Sequence, residues 1–345
     1  MSTTATTPDA GRKPVVPARI SEFGRTFVAR HASVMPMLAA LAILVLILIG
    51  AQIHFGDFVN PRTLSALLLD NAYLLILAVG MTFVIVTGGI DLSVGSVMAF
   101  TGIGAAQMLS HGVSSAIVIP AMILGGAFIG LMIGVLVQYF DVQPFIASLA
   151  GLFLARGLAY VVSLKSIRVE NEHVLWLQST RWWFGDWYLT PTGVIALLTV
   201  VVGALVMKYT RFGRTVYAVG GGEQSARLMG LAVARTKVLV YVISGVCGGL
   251  AGLVLTAYSG AGYPRNGIGT ELDVIAAVVI GGTLLTGGAG YVVGSLIGVL
   301  VYGTIHTVIS YMGAEQSWMR IIIGLMLLMF IVVQRVIVVR AERRR

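Results

Sequence analysis

The stretch GGIDLSVGS, Gly88 to Ser96, lies directly after a long apolar run that ends at Thr87. Two glycines, a carboxylate and two hydroxyl side chains follow one another there, a combination that ends a helix rather than continuing it. The side-chain oxygens of Asp91 and Ser93 can accept hydrogen bonds from the free N–H groups of a helix that resumes at Val94. The stretch therefore predicts a break between two apolar helices.

The composition places this break inside a membrane protein. The chain has 345 residues, of which 57% are hydrophobic and only 11% charged, and its mean hydropathy is +0.94. Such a chain is too apolar for a soluble domain, and its apolar segments recur nearly end to end. We predict an all-α polytopic protein with one membrane domain at 34–338, an N-terminal tail at 1–33 and a basic C-terminal tail at 339–345. The tail at 1–33 is expected to be retained rather than cleaved as a signal peptide.

Windows of about twenty apolar residues predict ten membrane spans. They cover residues 34–53, 65–87, 92–110, 116–138, 145–163, 191–207, 238–258, 273–287, 291–311 and 318–338. Five basic residues lie in the N-terminal tail, six between Lys208 and Lys237, and five from Arg335 to Arg345. Because lysine and arginine concentrate on the cytoplasmic side, both termini and the connection 208–237 are predicted to be cytoplasmic. The connection 164–190 is then on the outer side, which is the periplasm if the protein is in a bacterial inner membrane.

Spans two to five and seven to ten show one pattern twice. Span four carries glycines at 126, 130 and 134, and span nine carries them at 290, 294 and 298. The Gly-Gly break at 88 and 89 has a possible counterpart in the glycines at 281, 282, 287 and 288. An offset of five spans reverses direction, so these halves would be inverted repeats, an arrangement found in transporters. The alternative is that membrane helices are rich in glycine generally.

The sequence lacks the motifs for ATP hydrolysis, metal binding and nucleophilic catalysis. No lysine follows a glycine, so there is no Walker A loop and no ATPase site of the chain's own. The five histidines and Cys247 show no metal-ligand spacing, and we predict no metal site. There is no G-x-S-x-G motif and no nucleophile beside a base, which argues against an enzyme. The net charge of +9 comes from residues beside helix ends, which argues against nucleic-acid binding.

A few ionisable residues fall at membrane depth, where a charge at a helix centre costs about 2.5–3.5 kcal/mol. For Asp91, a structural cap and a role in a transport pathway both remain open. Arg156 lies about seven residues, or about 10 Å, inside the predicted end of span five, and it is expected to extend toward the membrane surface. Glu271 and Asp273 open span eight, where helix capping is the first interpretation.

Two connections between spans carry further signals. The segment Glu223 to Met229, set between Gly222 and Gly230, predicts a short helix outside the membrane. Helices this short are marginal in water, so it either docks on a partner protein or rests on lipid headgroups. The connection 164–190 carries four tryptophans, which form either an interfacial aromatic belt or a surface that stacks on sugars.

Three long motifs in order identify a family resemblance. GGIDLSVGS, RFGRTVYAVGGGEQSARLMGL (211–231) and ELDVIAAVVIGGTLLTGG (271–288) together resemble the permease subunits of bacterial ATP-binding-cassette importers for ribose, xylose and related sugars. Residues 70–102 and the stretch AGYPRNGIGTELD (261–273) are similar to a permease of the galactofuranose importer. The resemblance extends from about span two to span ten.

This resemblance implies a fold of the vitamin-B12-permease kind in the bacterial inner membrane. The implied partners are a second permease subunit, identical or paralogous, a periplasmic sugar-binding protein, and cytoplasmic ATPase subunits that hold ATP and Mg²⁺. No cofactor would be bound by this chain. The residues implied in the pathway or its gate are Gly88, Gly89, Asp91, Ser93, Ser96, Glu271, Asp273, Gly281 and Gly282. The residues implied in a helix that couples to the ATPase are Glu223, Gln224, Ala226, Arg227 and Gly230.

Three other functions compete with this one. An ion-coupled secondary transporter would share inverted repeats and broken helices. A permease for branched-chain amino acids belongs to the same class of importer, although its charged substrate would favour more polar groups in the pathway. An intramembrane hydrolase has no catalytic pair in this sequence.

Overall fold

The computed structural model describes residues 35–313 and 315–342. The predicted tail at 1–33 and the last three residues of the C-terminal tail lie outside these ranges. The described residues form fourteen helices and four short strands. The helices are α1 Met35–Phe55, α2 Pro61–Asp70, α3 Ala72–Val86, α4 Val94–Ser110, α5 Ser115–Tyr139, α6 Pro144–Val162, α7 Glu172–Ser179, α8 Pro191–Tyr209, α9 Arg211–Gly221, α10 Glu223–Leu228, α11 Val233–Ser259, α12 Thr270–Ile280, α13 Val292–Tyr311 and α14 Gln316–Glu342. The strands are β1 Ile167–Arg168, β2 Trp182–Phe184, β3 Trp187–Leu189 and β4 Ala261–Gly262.

The helices confirm a polytopic membrane protein, but not the predicted count of ten spans. Six of the described helices, α1, α5, α6, α8, α11 and α13, are each long and apolar enough to cross a membrane. The pair α2 and α3 is bent by 55° and would make a seventh span if it is taken as one. Two of the predicted spans correspond to shorter helices, since α4 has 17 residues and α12 only 11.

The predicted second and eighth spans differ most from the structure. The second is divided at Asn71, whose side-chain amide donates to the carbonyl of Leu67 at 2.8 Å. The eighth was predicted at 273–287, but α12 ends at Ile280. Gly282 has a φ of +97° there, which the apolar composition of the segment could not reveal. The prediction of one continuous apolar helix at 273–287 is therefore wrong.

The long helix α11 is at the centre of the bundle and packs against α3, α4 and α5. The glycines at 126, 130 and 134 of α5 permit this packing, because a Cβ at any of them would run into the α11 backbone at Gly245, Tyr241 or Val238. The predicted close contact of this row is confirmed. In α13, Gly294 and Gly298 lie in the same way against α12. The inverted relation of the two halves remains a prediction.

The connection 164–190 has structure of its own. Its strand β1 pairs antiparallel with β4, and β2 and β3 form a hairpin in which Trp182 pairs with Leu189. Helix α8, with 19 residues, separates this hairpin from α9 by about 28 Å. We call the two ends of the bundle the hairpin side and the α9 side. Trp182, Trp183 and Trp187 are exposed, which leaves both interpretations of the aromatic residues open.

Candidate functional site

The helix break predicted at GGIDLSVGS is present. Helix α3 ends at Val86, and the N–H groups of Gly88 and Gly89 donate back to its last turn, to Ile85 at 2.8 Å and Val84 at 3.1 Å. Gly88 has a φ of +82°, a conformation that favours glycine. The chain then runs without helical structure until α4 begins at Val94.

Asp91 fixes the shape of this break. Its side chain is buried, and its Oδ1 accepts from the N–H of Ser93 at 2.9 Å and from the Ser93 hydroxyl at 2.6 Å. Its Oδ2 accepts from the hydroxyl of Ser244 in α11 at 2.6 Å. Both carboxylate oxygens are therefore bonded within the chain. Of the two predicted caps, Asp91 bonds a backbone N–H, whereas Ser93 makes no side-chain cap.

The two glycine-rich breaks meet on the α9 side. The N–H of Gly288 donates to the carbonyl of Val86 at 2.9 Å, and a Cβ at Gly287 would lie 2.8 Å from the nitrogen of Gly88. Gly220, near the end of α9, packs so closely that an added Cβ would overlap the Val86 carbonyl and lie 2.5 Å from the Gly288 nitrogen. We call this meeting of three backbones, at 86–88, 220–221 and 287–288, the glycine junction.

The other glycine pair does not join this junction. A Cβ at Gly281 would overlap the carbonyl of Gly294 in α13. A Cβ at Gly282 would lie 2.9 Å from the nitrogen of Met37 in α1. Gly281 and Gly282 therefore allow the end of α12 to pack closely on α13 and α1. They take no part in the contact made by Gly287 and Gly288.

The short helix predicted after Gly222 is confirmed as α10, and α9 precedes it. Glu223 forms ion pairs with Arg227 at 2.6 Å and with Lys237 of α11 at 3.1 Å. Burial alone would raise the pKa of Glu223, but the hydrogen bonds and charges of Lys237 and Arg227 outweigh it and lower that pKa. The stabilisation by these pairs is therefore present at neutral pH and is lost as the pH falls through the lowered pKa.

The end of α10 presents apolar side chains to its surroundings. Ala226 is buried, whereas Leu228 and Met229 are 84% and 66% exposed. Gly230 then reverses the chain with a φ of +74°. Exposed apolar side chains of this size, next to a helix held by ion pairs, form a surface suited to a partner.

The predicted site acids lie on different faces of α12. Glu271 caps its own helix through backbone N–H groups, and a Cβ at Gly95 in α4 would lie 2.7 Å from Glu271 Oε2. Asp273 is instead hydrogen-bonded to Tyr302 of α13. The capping interpretation of Glu271 is therefore confirmed, and the two carboxylates do not share a site.

Arg156 is bonded to a connection between two helices. Its Nη1 donates to the carbonyls of Pro264 and Asn266, both at 2.7 Å. The guanidinium is thus held by backbone oxygens of the segment between α11 and α12, and its extension toward the membrane surface stays a prediction.

One group of polar residues on the hairpin side was missed. Tyr258 of α11 donates to Asp70 Oδ1 of α2 at 2.9 Å, and Tyr73 is within electrostatic reach of Asp70 and Asp273. These residues come from four helices, so no spacing along the sequence indicated that they gather. The only signal was the presence of acids at predicted helix ends.

Comparisons with known proteins identify the family of this chain. The model of the family described as branched-chain amino acid transport system / permease component matches residues 63–331. The chain is 42% identical over 309 residues to the fructose import permease protein FruG of Bifidobacterium longum, covering 88% of this chain and 91% of that protein. It is 42% identical over 314 residues to the inner membrane ABC transporter permease protein YjfF of Escherichia coli, covering 90% and 95%.

A further relative is the ribose import permease protein RbsC of Escherichia coli, 36% identical over 317 residues, with 90% of this chain and 96% of that protein covered. These similarities extend over almost the whole length of each protein, and the proteins concerned are transport components rather than enzymes. The chain is a multi-pass membrane protein that belongs to the permease family described as the branched-chain amino acid transport system / permease component, and within it to the permeases of ABC sugar importers.

Proposed function

We propose that this chain forms the translocation pathway of an ATP-driven importer for a neutral monosaccharide in the bacterial inner membrane. Its termini and the α9 side face the cytoplasm, as the distribution of basic residues indicates. ATP and Mg²⁺ bind to a partner ATPase subunit, a second permease subunit completes the pathway, and a periplasmic binding protein delivers the sugar.

The observation that carries this proposal is the glycine junction. The α9–α10 segment presents exposed apolar side chains at Leu228 and Met229, and the same segment touches the backbone of both helix breaks through Gly220. Backbone contacts without intervening side chains leave little room for independent movement. A force applied to α10 by an ATPase would therefore reach the end of α3 and the connection between α12 and α13.

The substrate class rests on the relatives. FruG is named for fructose, RbsC for ribose and the related AraH of Azospirillum brasilense for L-arabinose, and all three sugars are neutral. Galactofuranose is a narrower candidate, supported by the resemblance of residues 70–102 and 261–273. Gly88, Gly89, Asp91, Ser93, Ser96 and Glu271 are proposed to shape the pathway or its gate.

The test is to purify the chain with its ATPase and binding protein and to measure ATP hydrolysis with D-ribose, D-fructose, L-arabinose or galactofuranose. One of these sugars, bound to the binding protein, is expected to stimulate hydrolysis several-fold. Leu228→Ser with Met229→Ser should abolish the stimulation, while Leu198→Ser, an exposed site in α8, should retain it. Stimulation by none of these sugars would contradict the proposed substrate class.

A second candidate is import of branched-chain amino acids, because the matching family carries that description. It predicts stimulation by leucine, isoleucine or valine and none by the sugars. The same assay therefore decides between the two substrates.

A further inference from the structure

Helices α4 and α12, with 17 and 11 residues, are shorter than the spanning helices, and they meet by their N-termini. The extended segment 89–93 leads into α4 from the α9 side, and the segment 261–269 leads into α12 from the hairpin side. A Cβ at Gly262 would lie 2.9 Å from the carbonyl of Gly102, and one at Gly267 would lie 2.5 Å from the carbonyl of Gly95. The segment 261–269 therefore follows α4 for about 10 Å into the bundle.

Two left-handed glycines make this approach possible. Gly267 has a φ of +71° and Gly269 a φ of +86°, and α12 begins directly afterwards at Thr270. The first turn of α12 therefore lies beside the first turn of α4. Neither helix has a side-chain cap from its N-cap residue, Ser93 or Gly269. At α12 the first-turn N–H groups are already paired, because Thr270 donates to the carbonyl of Gly267, and Leu272 and Asp273 donate to the carbonyl of Gly269.

Two buried polar side-chain atoms at this meeting point have no hydrogen-bond partner among the described residues. They are the hydroxyl of Ser96, which is 1% exposed, and Oε2 of Glu271. Glu271 Oε2 faces the first turn of α4, as its position 2.7 Å from a Cβ at Gly95 shows. Buried polar atoms in native proteins are nearly always paired, so the two unpaired side-chain atoms on these two first turns indicate an absent ligand.

The chemistry of these groups selects the ligand. A serine hydroxyl donates and accepts hydrogen bonds, and a carboxylate oxygen accepts them. A sugar hydroxyl both donates and accepts, so it satisfies both sets. A neutral ligand suits the local charge, because Glu271 and the guanidinium of Arg156 are of opposite sign and within electrostatic reach of each other.

We propose that the meeting point of α4 and α12, with Ser96 and Glu271, is a site that binds a sugar hydroxyl during translocation. This inference rests on the proposed function, and it adds a position and a ligand chemistry to it. The site is buried here, so the sugar reaches it when the segment 261–269 moves away from α4.

The test uses the complete transporter in proteoliposomes, with whichever of D-ribose, D-fructose and L-arabinose the wild type accumulates fastest. Ser96→Ala and Glu271→Gln are each expected to reduce accumulation about tenfold or more, while the loaded binding protein still stimulates ATP hydrolysis. The control is Ser148→Ala, which removes a buried serine hydroxyl that bonds the carbonyl of Phe145 within α6. It should remain within twofold of the wild type.

A second measurement reports the occupancy of the site rather than the amount of sugar accumulated. In a Cys247→Ala background, the Ser96→Cys thiol should react with a small thiol reagent during turnover, and the transported sugar should slow that reaction severalfold. Wild-type accumulation by both Ser96→Ala and Glu271→Gln, equal loss of accumulation and ATPase stimulation, or labelling that the sugar does not slow would each overturn the inference. If the wild type accumulates none of the sugars, the proposed function itself fails.

Discussion

Replacement of Asp91 tests whether this carboxylate stabilises the helix break or contacts the substrate. Asp91→Ala removes the acceptor of three hydrogen bonds of 2.6–2.9 Å, from the N–H and hydroxyl of Ser93 and from the Ser244 hydroxyl. Hydrogen bonds to a charged group contribute about 1.5–3 kcal/mol each, or about 4.5–9 kcal/mol for three, and relief of the buried charge together with new partners for the two hydroxyls offsets part of this. We expect a loss of about 4 kcal/mol.

Asp91→Asn is the matched variant. Its amide oxygen can still accept from Ser93, its amide NH₂ can donate to the Ser244 hydroxyl, and no charge is buried. We therefore expect a loss of about 1 kcal/mol or less for Asp91→Asn. At about 2–4 °C per kcal/mol, Asp91→Ala should lower the midpoint of thermal unfolding by about 10 °C and Asp91→Asn by no more than about 4 °C.

The assay is the fraction of detergent-purified protein that remains monodisperse after heating, measured beside sugar accumulation in the same variants. Asp91→Asn should retain transport in proportion to its stability. A stable Asp91→Asn protein that transports nothing would refute the reasoning, because the charge would then act on substrate or on a moving step. An Asp91→Ala protein as stable as the wild type would refute it as well.

Three other substitutions test the packing at the breaks and the coupling segment. Gly220→Ala should reduce sugar-stimulated ATP hydrolysis at least fivefold, since its Cβ overlaps the Val86 carbonyl, whereas Gly221→Ala, which has open space, should not. Gly89→Val should abolish accumulation while the complex still assembles, because its Cβ lies 2.6 Å from the buried Tyr241 hydroxyl; an active Gly89→Val protein would be contrary to this packing. Alanine at both Glu223 and Arg227 should uncouple transport from ATP hydrolysis, seen as hydrolysis without accumulation.

The helix break could be predicted because its causes are local. Gly88 needs a left-handed backbone, and Asp91 bonds an N–H group two residues away, so both signals lie within one short stretch. Ser244 could not be predicted, because it is 153 residues from Asp91 and is brought there only by the packing of α11. The same holds for Tyr258 and Asp70, which are 188 residues apart.

Two elements differ from the sequence prediction for physical reasons: α9 was not predicted, and the eighth span was predicted to be longer than α12. The segment 211–221 contains three glycines, which argue against a helix, yet the Thr210 hydroxyl caps it at Gly213 with a 3.0 Å hydrogen bond and its packing retains it as α9. In the eighth span, apolar residues continue past Ile280 although the helix does not. Hydropathy measures transfer to lipid and carries no information about the backbone angles at Gly281 and Gly282.

We propose that this chain carries a sugar inward at the expense of ATP hydrolysed by a partner. The most direct measurement is accumulation of radiolabelled sugar in proteoliposomes that contain the whole transporter, with ATP on the α9 side and loaded binding protein on the hairpin side. We predict accumulation that requires ATP, stops with vanadate and persists when ionophores remove every ion gradient. Accumulation that vanadate does not inhibit, and that stops when an ion gradient is removed, would contradict the account.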